Sequence, residues 1–251
     1  MSNMKIEREG SVLSIIFDRP EKKNALTRAM YMAATRALAQ ADQDEDIGAV
    51  LFSGAGGFFT AGNDIGDFLL AEAKGEPDDF PAFAFIRALA ACETPLVAAI
   101  EGVAIGIGAT LILHCDLVYA APSAAFRMPF IDLGLVPEAA ATLLLPRRVG
   151  MAKAAEFLLL GEPFDAQEAL RLGLVNEMIA PKDLKDFALE RARCLAHKPR
   201  AALVASRRLM RGDRREILER IDEEGRLFGL ALQSREARAA FAAFVSRSKP
   251  P

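Results

Sequence analysis

Short apolar runs that alternate with amphipathic helical stretches limit the possible folds of this chain more than any other feature. In residues 25–44, the apolar residues that share one helical face are Leu26, Met30, Ala33, Ala37 and Leu38. The predicted strands are residues 10–20, 46–56, 94–100 and 116–121, and the predicted helices between them are 25–44, 83–93 and 106–115. Because such alternation is typical of βαβ units, the sequence predicts an α/β fold with a largely parallel sheet.

The last third of the chain is predicted to be mainly helical, from residue 166 onward. We therefore expect a core at 1–195 and a C-terminal helical subdomain at 196–251. Residues 71–81 are rich in Asp, Glu, Pro and Gly, and they are the best candidate for a mobile surface loop.

Composition excludes several classes of function. A chain of 251 residues with 52% hydrophobic content can bury a large core, and its net charge of −3 argues against binding to nucleic acid or an anionic membrane. The longest apolar run, 102–113, is too short to span a membrane. Three cysteines without metal spacing make a disulfide framework or a metal site unexpected, so cytoplasmic residence is the default expectation.

Two strand-to-helix junctions contain glycines, at Thr60–Asp64 and Glu101–Thr110. Glycine lets a backbone pass close to a ligand, and a helix start leaves amide donors unsatisfied. The second junction lacks the full G-x-G-x-x-G pattern, so a dinucleotide cofactor is rejected. Taken singly, each junction is better explained as an ordinary tight turn.

Glu138 is an acid in an otherwise apolar stretch, directly after Pro137. One interpretation is that Pro137 and Glu138 open a helix, because proline suits the first helical position and an acid suits the first turn. The other is that Glu138 is a catalytic base whose apolar surroundings raise its pKa. The expected apolar neighbours are Phe130, Ile131, Leu133, Leu135 and Val136. The segment alone favours the helix start, because acids near helix starts are common.

Five segments in the same order resemble the crotonase superfamily, the enoyl-CoA hydratases and isomerases. They are residues 18–26, 59–65, 101–116, 126–138 and 161–179. The resemblance implies a spiral of ββα units with a C-terminal helical trimerisation region. It also implies an acyl-CoA thioester substrate of fatty acid β-oxidation type, with coenzyme A as part of that substrate and no separate cofactor. The core at 1–195 would then bind the acyl-CoA.

The resemblance also implies where the site lies. Two backbone amides, those of Asn63 and Ile107, would hold the thioester oxygen as it becomes an enolate, and such donors are each worth roughly 3 kcal/mol of barrier. The residues expected to line the substrate are Ala61, Gly62, Asp64, Ile65, Gly106, Gly108 and Phe130. Asp64 is also expected to cap the following helix.

The departures from the hydratase pattern are informative. The two hydratase glutamates fall on Thr110 and Phe130, and neither side chain can act as an acid or base near neutral pH. The Δ3,Δ2-enoyl-CoA isomerase branch instead uses one glutamate, and Pro129-Phe130, Leu133-Gly134 and Pro137-Glu138 match its spacing. The resemblance therefore implies an isomerase with Glu138 as its base. The alternatives are a hydratase or other acyl-CoA lyase, and a non-catalytic acyl-CoA- or RNA-binding relative.

Two features of the C-terminal part concern partners. The arginines that lie near one helical side are Arg200, Arg207, Arg208, Arg211 and Arg215. We favour a solvated face, and the alternative is a contact with CoA phosphates. The apolar residues expected to pack between subunits, in a trimer or a dimer of trimers, are Leu227, Phe228, Leu230, Leu232, Phe241 and Phe244.

Overall fold

A six-stranded sheet forms the body of the protein. The computed structural model describes residues 3–64, 66 and 81–247, with side chains described as far as residue 243. The strands are β1 (Met4–Glu9), β2 (Val12–Phe17), β3 (Ala49–Gly54), β4 (Leu96–Ile100), β5 (Val103–Ile105), β6 (Leu117–Ala120), β7 (Ala125–Arg127), β8 (Phe164–Asp165) and β9 (Glu177–Met178). The main sheet has the order β1-β2-β3-β4-β6-β9, and β5-β7-β8 form a second, smaller sheet.

The main sheet is parallel except at one edge. The β2–β3, β3–β4, β4–β6 and β6–β9 pairs are parallel, and only β1–β2 is antiparallel. Strands β2 and β4 are buried along their whole length, as expected when both faces of a parallel sheet are covered. The predicted α/β fold with a largely parallel sheet is therefore confirmed.

Helices cover the sheets and follow the strands in alternation. The helices of the described residues are α1 (Arg28–Gln43), α2 (Pro81–Ala91), α3 (Ile107–Thr110), α4 (Ala141–Val149), α5 (Met151–Leu158), α6 (Ala166–Arg171), α7 (Pro181–Ala196), α8 (Arg200–Arg211), α9 (Arg214–Leu232) and α10 (Arg235–Arg247). Helix α1 begins at Arg28, three residues after the predicted start, because the Thr27 side chain accepts a hydrogen bond from the Met30 amide and caps the helix there. The proposed loop at 71–81 lies, apart from Pro81, outside the described residues.

Two predicted helices differ from those in the structure. Residues 106–115 form only a short α-helix, α3, followed by a 3-10 turn at Leu111–His114. The interpretation that Pro137 and Glu138 open a helix is wrong, because α4 begins at Ala141 and Glu138 precedes it. Both Ala139 and Ala140 have positive φ, 61° and 53°, and this left-handed turn delays the start of the helix.

Helix α8 is held against the body by ion pairs, which contradicts the solvated face that we favoured. The Arg207 guanidinium is buried and donates through Nε to both oxygens of Asp116 at 2.8 Å. Arg211 also pairs with Asp116 at 3.1 Å, and Arg208 pairs with Glu93 at 2.5 Å. Arg207 and Arg211 are therefore structural, and a CoA phosphate contact is not needed to explain them, whereas Arg208 and Arg215 are exposed, as expected for a solvated face.

The apolar residues of α9 and α10 divide into two groups. Phe228 and Phe241 are buried in the core of the chain itself, so the expectation that they pack between subunits is wrong. Leu227 and Leu230 are exposed, and the Phe244 side chain lies outside the described residues. No helix in the described ranges is long and apolar enough to cross a membrane.

Candidate active site

The two glycine-containing junctions lie side by side. Thr60 and Ala104 form a parallel bridge, in which the Thr60 amide donates to Val103 at 2.9 Å and the Ile105 amide donates to Thr60 at 3.0 Å. Gly62 has a φ of +86°, and a Cβ atom there would lie 2.7 Å from the Ile105 carbonyl oxygen. Only glycine permits this close approach.

The Asn63 amide has no acceptor among the described residues, although the residues on both sides of it are firmly bound. The Leu26 amide donates to the Gly62 carbonyl at 2.7 Å, and the Asp64 amide donates to the Leu26 carbonyl at 2.9 Å. The Asn63 side chain accepts a hydrogen bond from the Tyr31 hydroxyl. The peptide that carries the free N–H is thus fixed in orientation.

The Ile107 amide is free for a different reason, since it belongs to the first turn of α3. The amides of Ala109 and Thr110 donate to the Gly106 carbonyl at 2.9 and 3.0 Å. Those of Ile107 and Gly108 have no acceptor in the described part of the chain. Gly108 packs so tightly on Thr60 that a Cβ atom would lie 2.6 Å from the threonine Cγ2. The first junction therefore abuts the free amides of the second.

Glu138 is a buried acid, with only 4% of its surface exposed. Its Oε1 accepts a hydrogen bond from the Thr110 hydroxyl at 2.6 Å, and its Oε2 is buried without a hydrogen-bond partner in the described structure. Loss of hydration raises the pKa of Glu138 to about 8; the Thr110 hydrogen bond opposes this rise, and repulsion from Glu224 adds to it. A carboxylate so placed has a free oxygen and a high affinity for a proton.

The backbone that follows Glu138 is fixed by a histidine. His114 Nε2 lies 2.8 Å from the Ala139 carbonyl oxygen. Burial lowers the pKa of His114 to about 3, so the ring is neutral, and Nε2 must carry its proton to donate to that carbonyl. His114 therefore stabilises the left-handed turn at Ala139 and Ala140.

Sequence reasoning missed one acidic residue of this region, Glu224 on α9. Its Oε1 accepts hydrogen bonds from the Thr142 amide at 3.0 Å and the Thr142 hydroxyl at 2.6 Å, and its Oε2 is buried without a partner in the described structure. Burial raises the pKa of Glu224 to about 7, against the lowering effect of the Thr142 hydrogen bonds. A signal was present, because Glu224 shares the buried face of α9 with Ile217, Ile221 and Phe228 at helical spacing.

The remaining predicted site residues have simpler surroundings. Ala61 and Gly106 are held by backbone hydrogen bonds to Lys23 and Arg127, both at 2.9 Å. Asp64 forms an ion pair with Arg19 at 2.5 Å, and most of the helix that it was expected to cap lies outside the described residues, as does Ile65.

The expected apolar neighbours of Glu138 also divide into two groups. Phe130 and Leu135 are buried in the core. Ile131 is exposed, so its expected part in the apolar wall is wrong. No cluster of metal-ligating side chains occurs among the described residues.

Comparisons with known proteins identify the family. Residues 7–251 match the model of the enoyl-CoA hydratase/isomerase family. Enoyl-CoA delta isomerase 2 of Rattus norvegicus is 35% identical over 223 residues, and the match covers 87% of this chain but only 57% of the rat protein. The 2,3-dehydroadipyl-CoA hydratase of Escherichia coli K12 is 32% identical over 252 residues, covering 100% of this chain and 98% of that relative.

A solved structure has the same fold. The crystal structure of an enoyl-CoA hydratase/isomerase from Pseudoalteromonas atlantica T6c matches with a TM-score of 0.91 at 40% identity, covering 100% of this chain and 99% of the other. The fold and the paired junctions define a crotonase-type protein, which confirms the expected fold class. The chain belongs to the enoyl-CoA hydratase/isomerase family of the crotonase superfamily. Both a hydratase and an isomerase are among its relatives.

Proposed function

We propose that the protein is an enoyl-CoA isomerase that moves the double bond of a 3-enoyl-CoA to the 2-position. The observation that carries this proposal is the state of Glu138, a buried carboxyl whose Oε2 has no partner among the described residues and whose pKa is raised to about 8. Thr110, its hydrogen-bond partner, lies on the same short helix as the free Ile107 amide. This arrangement supports the proposal that Glu138 acts as a base next to the two backbone donors.

The chemistry requires one proton carrier and one anion site. In the proposed reaction, Glu138 removes a proton from carbon 2, and the electrons move onto the thioester oxygen to give an enolate. The amides of Asn63 and Ile107 hold that oxygen, and the proton returns to carbon 4 as the double bond shifts. Coenzyme A enters as part of the substrate, and no separate cofactor takes part.

The neighbours of Glu138 favour isomerisation over two-glutamate hydration. Thr110 and Phe130 occupy the positions where hydratases carry glutamates, and Thr110 is used as a hydrogen-bond donor to Glu138. Burial of Glu138 would keep water away from the enolate. This suits an isomerase, because its reaction gains nothing from a nearby nucleophile.

Hydration is the second candidate, and one observation favours it. Glu224 is a second buried glutamate whose charge reaches Glu138, so the region holds two carboxyls that could divide the work of activating water and delivering a proton.

The assembly that we propose is a homotrimer or a dimer of trimers. Its support is a set of exposed large apolar side chains on the C-terminal helices and after α5, including Leu209 at 86% and Met210 at 87% exposure. The others are Leu159, Leu160, Leu227 and Leu230.

The substitution Glu138→Gln tests the proposed base. Glutamine keeps the size of the side chain and an oxygen that accepts the Thr110 hydrogen bond, yet its amide neither takes up nor releases a proton at neutral pH. We expect turnover of a 3-enoyl-CoA to fall by about a hundredfold to ten-thousandfold, with little change in binding of the thioester. Asp132→Asn is the matched control, because Asp132 is the other acid of the segment and pairs at the surface with Arg127. A folded Glu138→Gln variant that isomerises at the parent rate would contradict the assignment.

A further inference from the structure

Glu224 is tied to the same stretch of backbone that carries Glu138. It binds the start of α4 through the Thr142 amide and hydroxyl, and the Ala140 backbone also interacts with it. The left-handed residues Ala139 and Ala140 connect this anchor to Glu138. Helix α4 has no capping side chain of its own at Ala140, so Glu224 supplies the cap from a distant helix.

Capping alone does not explain a glutamate here. A neutral side chain such as glutamine would accept the same two hydrogen bonds from Thr142. A carboxylate adds a negative charge to a residue that is only 3% exposed. It also leaves Oε2 of Glu224 buried without a partner in the described structure. Burying an uncompensated charge is costly, and such a cost is typical of functional sites.

We propose that Glu224 is a positioning residue of the reaction that acts through Glu138: its buried negative charge makes Glu138 a stronger base. This inference rests on the proposed function of Glu138. Two carboxylates close together in a buried site resist being ionised at once, so one of them retains a proton. Repulsion by Glu224 contributes to the raised pKa of Glu138, and a base of higher pKa removes a weakly acidic carbon-bound proton more readily.

The charged groups around Glu138 and Glu224 do not cancel the repulsion between the two carboxylates. The charge of Arg220 favours the ionised form of Glu224, and Arg220 donates to the Thr142 hydroxyl at 3.1 Å while also pairing with Glu223 at 3.2 Å. On the packed helix α2, Arg87 pairs with Asp222.

On α4 itself the two arginines are bound elsewhere. Arg147 pairs with Glu216, and Arg148 donates to the Leu113 carbonyl. His114, which contacts the Ala139 carbonyl, is neutral because burial lowers its pKa to about 3. Within the described residues, no cation pairs directly with either glutamate.

The test is the pH profile of kcat/KM for 3-enoyl-CoA isomerisation by the Glu224→Gln variant. Removing the charge lowers the pKa of Glu138, so we expect the acidic limb to move to lower pH by on the order of one unit. The plateau rate should fall about threefold, because the base is weaker. Glu223→Gln is the matched control, since Glu223 is the exposed neighbour on the same helix. Its profile should coincide with that of the parent.

A second readout does not depend on turnover. The infrared band of a protonated carboxyl can be titrated in the free protein, and the Glu138 band is the one lost in Glu138→Gln. This band should titrate at lower pH in Glu224→Gln than in the parent. If Glu224→Gln does not fold, Thr142→Val replaces it, because loss of the hydroxyl donor leaves Glu224 less ionised and moves the Glu138 titration in the same direction.

The outcomes separate the two proposals. An unmoved Glu138 titration and an unmoved pH profile in the folded variant would overturn the role of Glu224 and leave it as a helix cap, even if Glu138→Gln abolishes isomerisation. Absence of isomerisation in the parent would overturn the proposed function, whereas the infrared titration would still decide whether Glu224 acts on Glu138.

Discussion

Glu138→Gln should make the protein more stable while it removes activity. The folded protein raises the pKa of this carboxyl from 4.5 to about 8, mainly because burial removes its hydration. One pKa unit corresponds to 1.36 kcal/mol, so a shift of about 3.5 units amounts to on the order of 5 kcal/mol against the ionised form. Glutamine has the same shape and no charge, so it avoids this cost.

The sign of the pH dependence follows from the direction of the shift. A folded-state pKa above the unfolded value means that the folded protein binds the proton more tightly. The stability that Glu138 contributes is complete below pH 4.5 and is lost as the pH rises to about 8. The free energy of unfolding of Glu138→Gln should therefore exceed that of the parent by nearly zero at pH 4.5, by about 3 kcal/mol at pH 7 and by on the order of 5 kcal/mol above pH 8.

Urea unfolding of the two proteins at pH 5 and at pH 9 measures this difference. Asp132→Asn is again the control, because Asp132 is exposed and its replacement should leave the pH dependence unchanged. If Glu138→Gln were no more stable than the parent at pH 9, or gained equally at both pH values, the carboxylate would not be held in a dehydrated site and the physical basis for its role as a base would be lost.

Three further predictions test other parts of the site and fold. Asn63→Ala should retain activity within about tenfold, because only the backbone amide is recruited, whereas Asn63→Pro deletes that amide and should abolish turnover; steady-state kinetics compare them, and a fully active proline variant would rule out the amide. Light scattering at micromolar concentration should give the mass of a trimer or hexamer, and a monomer would refute the proposed assembly. Arg207→Met should lower the free energy of unfolding by about 3 kcal/mol, since it removes the buried Nε–H that both oxygens of Asp116 share. The exposed Arg208→Met should lower it by less than about 1 kcal/mol, and equal losses in a denaturation experiment would contradict the structural role of Arg207.

Local patterns were sufficient to predict the body of the sheet. Strands β2, β3, β4 and β6 are short apolar runs bounded by turn residues, and these signals depend only on neighbouring residues. Strand β1 was not predicted, because it is an edge strand whose residues are mostly charged and exposed. Its pairing with β2 fixes it, and no local signal reveals such a partner.

The start of α4 could not be predicted for a related reason. Pro137 and Glu138 are typical of a helix start, yet Ala139 and Ala140 adopt a left-handed conformation that alanine rarely takes. Tertiary contacts impose it, since His114 holds the Ala139 carbonyl and Glu224 binds the Thr142 amide. Local conformational preference is overridden here beside the proposed base.

The site was predictable where its chemistry depends on the backbone and unpredictable where it depends on distant side chains. The resemblance to the crotonase superfamily directed attention to the amides of Asn63 and Ile107, and neither amide has an acceptor among the described residues. Glu224 and Arg207 bind partners that are distant in sequence, Thr142 and Asp116. Helical spacing can show which residues share a helix face, but it cannot show which distant residues they contact. Helical spacing therefore predicts a solvated face for the arginines, although Arg207 is buried.

The most direct test of the proposed reaction is to identify the products that the unmodified protein makes from a 3-enoyl-CoA and from a 2-enoyl-CoA. Chromatography of the CoA thioesters separates the shifted double bond from a 3-hydroxyacyl-CoA, the product of hydration. With Glu138 as a single proton carrier, the 3-enoyl-CoA should give the 2-enoyl-CoA, and the 2-enoyl-CoA should gain no water. Formation of 3-hydroxyacyl-CoA from the 2-enoyl-CoA, with no movement of the double bond in the 3-enoyl-CoA, would contradict the isomerase assignment.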